Sequence, residues 1–162
     1  MDVYLLRHGI AEDPKPGQSD SIRALTSEGR SKLGEVLAVA RHAEVEPSLI
    51  LASPFRRAVE TAQIAAKVLG YKGQILQTRA LEPESKPEDV WQEIRGHRDE
   101  SSLLLAGHEP LFSSLAAYLL GAPSMYVDFK KGGLMELTIT SFPPHPRGVL
   151  GWYLTPKLAA RE

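Results

Sequence analysis

Val3-Tyr4-Leu5-Leu6-Arg7-His8-Gly9 is an apolar run that stops abruptly at an arginine, a histidine and a glycine. Four consecutive apolar residues are too few for a helix and suit a strand covered on both faces, as in the middle of a parallel sheet. The design returns twice. Leu49-Ile50-Leu51-Ala52 runs into Ser53-Pro54, and the segment from Ser102 to Ala106 runs into Gly107-His108. Gln74 to Gln77 offers a further, weaker strand.

Helical patterns lie between these runs. A loop rich in Pro, Gly, Asp and Ser spans Glu12 to Ser21, and Thr26 then stands as an N-cap before Leu33, Val36, Leu37 and Ala40 at helical spacing. Ser53-Pro54 signals another helix, with the serine as cap and the proline in the first turn. Ala58, Ala62, Ala65 and Leu69 mark one face of it, and Gly70 stops it. Past a loop around Pro83 to Pro87 comes a helix carrying Val90, Trp91 and Ile94. Pro110 opens one more, with Leu111, Leu115, Ala116 and Leu119 facing inward.

The end of the chain has a different period. Met135, Leu137 and Ile139 alternate with Glu136, Thr138 and Thr140, the pattern of a half-buried strand. Val149 to Leu154 is its expected hairpin partner across the Pro- and Gly-rich link Ser141 to Gly148. Strand–helix alternation followed by a hairpin predicts an α/β fold. The expected form is a three-layer α/β/α sandwich, with a mostly parallel central sheet and an antiparallel C-terminal hairpin at one edge. No linker or repeat interrupts 162 residues, so residues 1–162 are expected to form a single domain.

Composition narrows the function classes. Nineteen Lys and Arg against 20 Asp and Glu give no general attraction to nucleic acid or acidic membranes. The absence of cysteine excludes disulfides, thiolate nucleophiles and cysteine-based zinc sites. Val3 to Leu6 is too short for the apolar part of a signal peptide, and no apolar run approaches membrane-spanning length. A cytoplasmic protein with no membrane or nucleic-acid partner is expected. Oligomeric state leaves no mark in the sequence.

In open α/β sheets ligands bind beyond the carboxyl ends of the strands. The first strand delivers Arg7 and His8 there, the second Ser53 and then Arg56 and Arg57 in the first turn of a helix, and the fourth Gly107 and His108. Carboxylates are sparse at these strand ends, with Glu109 and Glu82 expected nearby. Taken singly, each residue is ordinary polar surface or a helix cap. Arginines and histidines together at three strand ends, two of which lead into helix N-termini, predict a phosphate site. A metal site fits less well, because adjacent guanidinium groups repel a dication. His42, His97 and His145 sit in polar or turn-rich stretches and read as surface residues.

Three motifs then match a known family. Leu6-Arg7-His8-Gly9 resembles the signature of the histidine phosphatase (phosphoglycerate-mutase-like) superfamily. The stretch from Ser53 to Ala62 resembles its second motif, in which the arginine directly before alanine enters the pocket, which points to Arg57 and not Arg56. Gly107-His108-Glu109-Pro110 is similar to the third, and Leu25-Thr26 followed by Gly29 to the family's first helix start. The resemblance runs from Met1 to about Leu154. Within the superfamily, the short chain and Arg7-His8-Gly9-Ile10-Ala11-Glu12 look most like the SixA-type phosphohistidine phosphatases. Little length is left for a cap over the pocket.

The resemblance implies a phosphatase in which His8 attacks phosphorus and becomes a phosphohistidine intermediate. One ring nitrogen must be free and the other held as N–H by a backbone carbonyl. Arg7 and Arg57 would keep the ring neutral and neutralise the phosphoryl oxygens, and His108 would donate to the same oxygens. Ser53 would either bind phosphate or only cap its helix. Glu82, in Leu81-Glu82-Pro83-Glu84, occupies the neighbourhood of a general acid that many members carry and SixA-type members do without. No cofactor or metal is implied. The expected substrate is phosphohistidine in a protein. The alternatives are a small phosphomonoester and, in another class, phosphate recognition without turnover. Loops 10–22 and 123–133 are expected to rim the pocket.

Overall fold

The computed structural model describes residues 1–161. Strands β1 (Asp2–Arg7), β2 (Leu49–Ala52), β3 (Ile75–Gln77), β4 (Ser102–Gly107), β5 (Leu134–Ser141) and β6 (Arg147–Leu154) form one sheet in the order β3-β2-β4-β1-β5-β6. The four strands β3, β2, β4 and β1 are parallel, and β5 and β6 are antiparallel additions beyond β1. Helices α1 (Ser27–His42) and α2 (Arg56–Leu69) pack on one face, α3 (Pro87–Gly96) and α4 (Leu111–Leu119) on the other. A short helix, α5 (Pro156–Ala159), joins the first pair.

Strand alternation explains why the first run is apolar throughout. Val3 and Leu5 face the α3–α4 layer together with Leu103 and Leu105, while Tyr4 and Leu6 face α1–α2 together with Ile50 and Leu104. Each side needs its own apolar set, so a central strand reads as a continuous run. Trp91, Phe112 and Leu33 are among the largest side chains fully removed from water.

Three boundaries differ from expectation. The weak strand is Ile75–Gln77 and omits Gln74. β6 begins at Arg147, so the hairpin link shrinks to residues 142–146. The ladder reaches Ser141↔Arg147 and Ile139↔Gly148 through irregular register, which lets poor strand formers pair. Ser53 does not cap α2: the N-cap is Phe55, without a side-chain bond, and the Ser53 hydroxyl accepts from the Phe55 N–H at 3.2 Å within the preceding turn. Thr26 does cap α1, accepting from the Gly29 N–H at 2.9 Å. Gly29 is required by closeness, since a Cβ there would lie 2.3 Å from the Ile10 carbonyl oxygen. The loop leaving β1 is thereby pressed onto α1. Among the described residues, no helix is long and apolar enough to cross a membrane.

Candidate active site

β1, β2 and β4 end side by side, and their exits supply the cluster. His8, Ser53, Arg57 and His108 are all buried polar residues. The His8 and His108 rings lie 5.1 Å apart between centroids, and the Arg57 Nε donates to His8 Nε2 at 3.3 Å.

The tautomer of His8 follows from its neighbours. Nδ1 lies 2.8 Å from the Gly9 carbonyl oxygen, which can only accept. Nδ1 therefore carries the hydrogen and Nε2 the lone pair that meets Arg57. Gly9 is itself held: its N–H donates to Thr61 Oγ1 at 3.3 Å, and the Thr61 hydroxyl donates to the Arg57 carbonyl at 2.7 Å. One residue of α2 thus fixes both the histidine's acceptor and the arginine's backbone.

Burial pushes the His8 imidazole down to about 3, and the charges of Arg57, Arg7 and Arg23 push the same way, against the Gly9 bond. His108 is also held near 3, first by burial and then by His8 and Arg57. Both rings are neutral at pH 7. The unfolded chain protonates them near their ordinary value of 6.5, while the folded form resists until about 3. Between those values the unfolded state binds more protons, so stability falls as the pH drops through that window. The His8 ring resonances are expected not to titrate between about pH 5 and 8. A midpoint near 6.5 by nuclear magnetic resonance would contradict this environment.

Arg7 is half-buried. Its Nη1 donates to the Phe129 carbonyl at 2.5 Å, and its Nε is buried without a partner. Arg57 is 4% exposed, whereas the Arg56 side chain is 58% exposed and lies 3.7 Å from Glu60. His108 Nε2 is 2.8 Å from Ser53 Oγ, while Nδ1 is buried and unpartnered. Glu109, whose charge acts on Arg7, accepts from the Ser113 N–H at 2.6 Å and so satisfies the N-terminus of α4.

Glu82 forms no bond to these residues. It follows a 3-10 turn at Arg79–Leu81, and its carboxylate meets the Arg79 Nε at 3.3 Å. Sequence reasoning missed Asp20, which accepts from Arg57 Nη2 at 3.0 Å through its carboxylate and from Nη1 at 2.9 Å through its carbonyl. Arg23 lies 2.7 Å from the other Asp20 oxygen. Burial opposes ionisation of Asp20, but bonds to Arg23 and Arg57 outweigh it and hold the carboxyl below its ordinary value. Phe55 was also missed: its ring lies 5.1 Å from the Arg57 guanidinium and edge-on to His108. Among the described residues, no three His, Cys, Asp or Glu side chains converge as metal ligands would.

The cluster is thus a neutral histidine with a directed lone pair, flanked by fixed cations. Such an arrangement can receive a phosphoryl group and attack it. Residues 3–82 match the histidine phosphatase superfamily (branch 1). An uncharacterized protein of Picosynechococcus sp. is 32% identical over 139 residues, 85% of this chain and 84% of that one. The structure of the protein histidine phosphatase SixA complexed with tungstate superposes with a TM-score of 0.85 at 25% identity, covering 97% of this chain and 98% of the other. A protein provisionally named phosphohistidine phosphatase SixA, from Agrobacterium tumefaciens, gives 0.81 at 25% identity, covering 96% and 97%.

Proposed function

The chain belongs to the histidine phosphatase superfamily, and on that footing we propose that it is a phosphohistidine phosphatase acting on protein substrates through a covalent intermediate on His8. The observation that carries the chemistry is the His8 ring, with Nδ1–H bound to Gly9 and the Nε2 lone pair turned toward Arg57. Nε2 attacks phosphorus, a new P–N bond forms, and the bond to the leaving group breaks with its electron pair. Water then attacks the phosphohistidine, phosphate departs, and His8 is restored with its lone pair. Arg7 and Arg57 neutralise the equatorial oxygens throughout. In this mechanism the Ser53 hydroxyl, which also accepts from the Phe55 N–H, is assigned as the donor to His108 Nε2, 2.8 Å away. That leaves the buried Nδ1–H of His108 for a phosphoryl oxygen.

The absence of a placed acid among the described residues supports phosphohistidine over an alkyl ester. Glu82 forms no bond to the cluster and meets only the exposed Arg79, Glu109 accepts from the N-terminus of α4, and Asp20 is held ionised between two arginines. An alkoxide leaving group needs a proton from such an acid. An imidazole leaving group needs far less help. The likeness to SixA structures points the same way.

The test is side-by-side hydrolysis of a phosphohistidine peptide and an alkyl phosphomonoester by wild type and Glu82→Gln. Phosphohistidine is expected to be the better substrate, with Glu82→Gln within about twofold of wild type. Preference for the alkyl ester, with a loss of about 100-fold in Glu82→Gln, would make this a small-molecule phosphatase with Glu82 as its acid. Tight binding of the peptide without product would make it a recognition module.

A further inference from the structure

A groove of about 640 Å³ starts at Arg7 and Ile10, the residues that bracket His8 and Gly9. Its walls carry Lys32 of α1, Lys130 and Lys131 of the turn before β5, and Lys157 of α5, with Asp128 as the one carboxylate. The whole chain has 19 cationic Lys and Arg against 20 acidic residues, so five cations facing one carboxylate is a local segregation of charge. Lys130 is paired to Asp128 at 2.6 Å and Lys32 to Glu28 at 2.9 Å. Among the described residues, Lys131 and Lys157 have no carboxylate partner.

Exposed lysines are commonly no more than solvated surface. Here their backbone is fixed to the strand that delivers His8. The Gly133 N–H closes a turn on the Lys130 carbonyl at 2.8 Å, with Gly132 at φ +73 as such a turn demands. The Gly132 N–H reaches the carbonyls of both Arg7 and His8 at 3.1 Å, and the Arg7 N–H returns to Gly133 at 3.0 Å. The Lys130 N–H donates to the Tyr153 hydroxyl at 2.6 Å. The turn lysines therefore stand at a set distance from the phosphoryl position, and Lys32 and Lys157 face them from two helices. Cations spread over three elements suit a surface bearing several carboxylates better than one compact anion.

We propose that this groove docks the acidic surface flanking the phosphohistidine of a protein substrate, so that lysines outside the phosphoryl pocket select the substrate. The inference rests on the phosphohistidine reading above and adds what surrounds the phosphorylated residue. Two peptides carrying one phosphohistidine test it, one flanked by Asp and Glu and the other by Asn and Gln. Wild type is expected to favour the acidic peptide by about tenfold in kcat/KM, carried by KM. The preference should fade at about 1 M salt, where the screening length falls to about 3 Å. Lys131→Glu combined with Lys157→Glu should abolish it while leaving kcat and the neutral peptide unchanged.

Equal handling of both peptides by wild type, or a preference that survives the double charge reversal, would overturn the docking groove while leaving the phosphohistidine reading intact. Faster lysine-dependent hydrolysis of a small bisphosphate would replace it with a second phosphate subsite. If neither peptide is hydrolysed, the phosphohistidine reading falls. Docking is then read from fluorescence anisotropy of the unphosphorylated acidic peptide. Binding that the double reversal removes would support the groove, and no binding would sink it.

Discussion

Replacing His8 with alanine is expected to lower phosphatase turnover by about 10⁴-fold or more, the scale on which enzymes lose rate when a covalent nucleophile is removed. The geometry explains why no neighbour can substitute. His108 is the nearest other imidazole, but its Nε2 is engaged by Ser53 and its ring lies 5.1 Å from His8. Oxyanion binding should survive, because Arg7, Arg57 and His108 remain. Single-turnover labelling separates the two effects. Wild type mixed with a ³²P-labelled phosphohistidine peptide and quenched in alkali, which preserves the P–N bond, should carry label. His8→Ala should carry none while binding vanadate or tungstate within a few-fold of wild type. A variant retaining more than about 1% of turnover, or a wild type that never labels, would remove His8 from the role of nucleophile.

The fold was legible because the strands that build the sheet's centre are short continuous apolar runs, and each breaks at a polar or turn-forming pair: Arg7-His8, Ser53-Pro54 and Gly107-His108. The three exits at Arg7, Ala52 and Gly107 could therefore be found without coordinates, and the motifs placed His8, Arg57 and His108 there. Partners joined across long sequence gaps were not legible. Asp20 meets Arg57 across 37 residues, from a loop with no period. Ser53 meets His108 across 55, and its proline neighbour made it resemble a helix cap instead. The neutrality of His8 was expected from the arginines beside it, yet burial is the larger cause. Burial belongs to the packed site as a whole, which no local stretch of sequence displays. The start of β6 failed for a related reason: Arg147 and Gly148 join the strand by cross-strand pairing with β5 and not by propensity.

Adjacent arginines at the start of α2 give the second large expected effect. Arg57→Ala should lose roughly 10²–10³-fold in kcat, the cost of removing one charge-stabilising donor from a transition state. Arg56→Ala should stay within about twofold, as exposed substitutions away from a site do. Successive residues on a helix point about 100° apart, so one side chain is buried on His8 and the other lies in solvent near Glu60. Two explanations of an Arg57 loss can be told apart. If Arg57 served mainly to keep His8 unprotonated, its removal would raise the imidazole's protonation, and activity would return as the pH rose. Burial is the first cause of the low His8 value and persists without Arg57. The loss should therefore be flat across neutral and mildly alkaline pH. Arg57→Lys should recover little, because a single ammonium cannot hold Asp20 through two nitrogens while presenting Nε to the reacting group. Equal losses in the Arg56 and Arg57 variants would overturn the assignment of the pocket arginine, and recovery of Arg57→Ala at high pH would recast it as a tuner of His8.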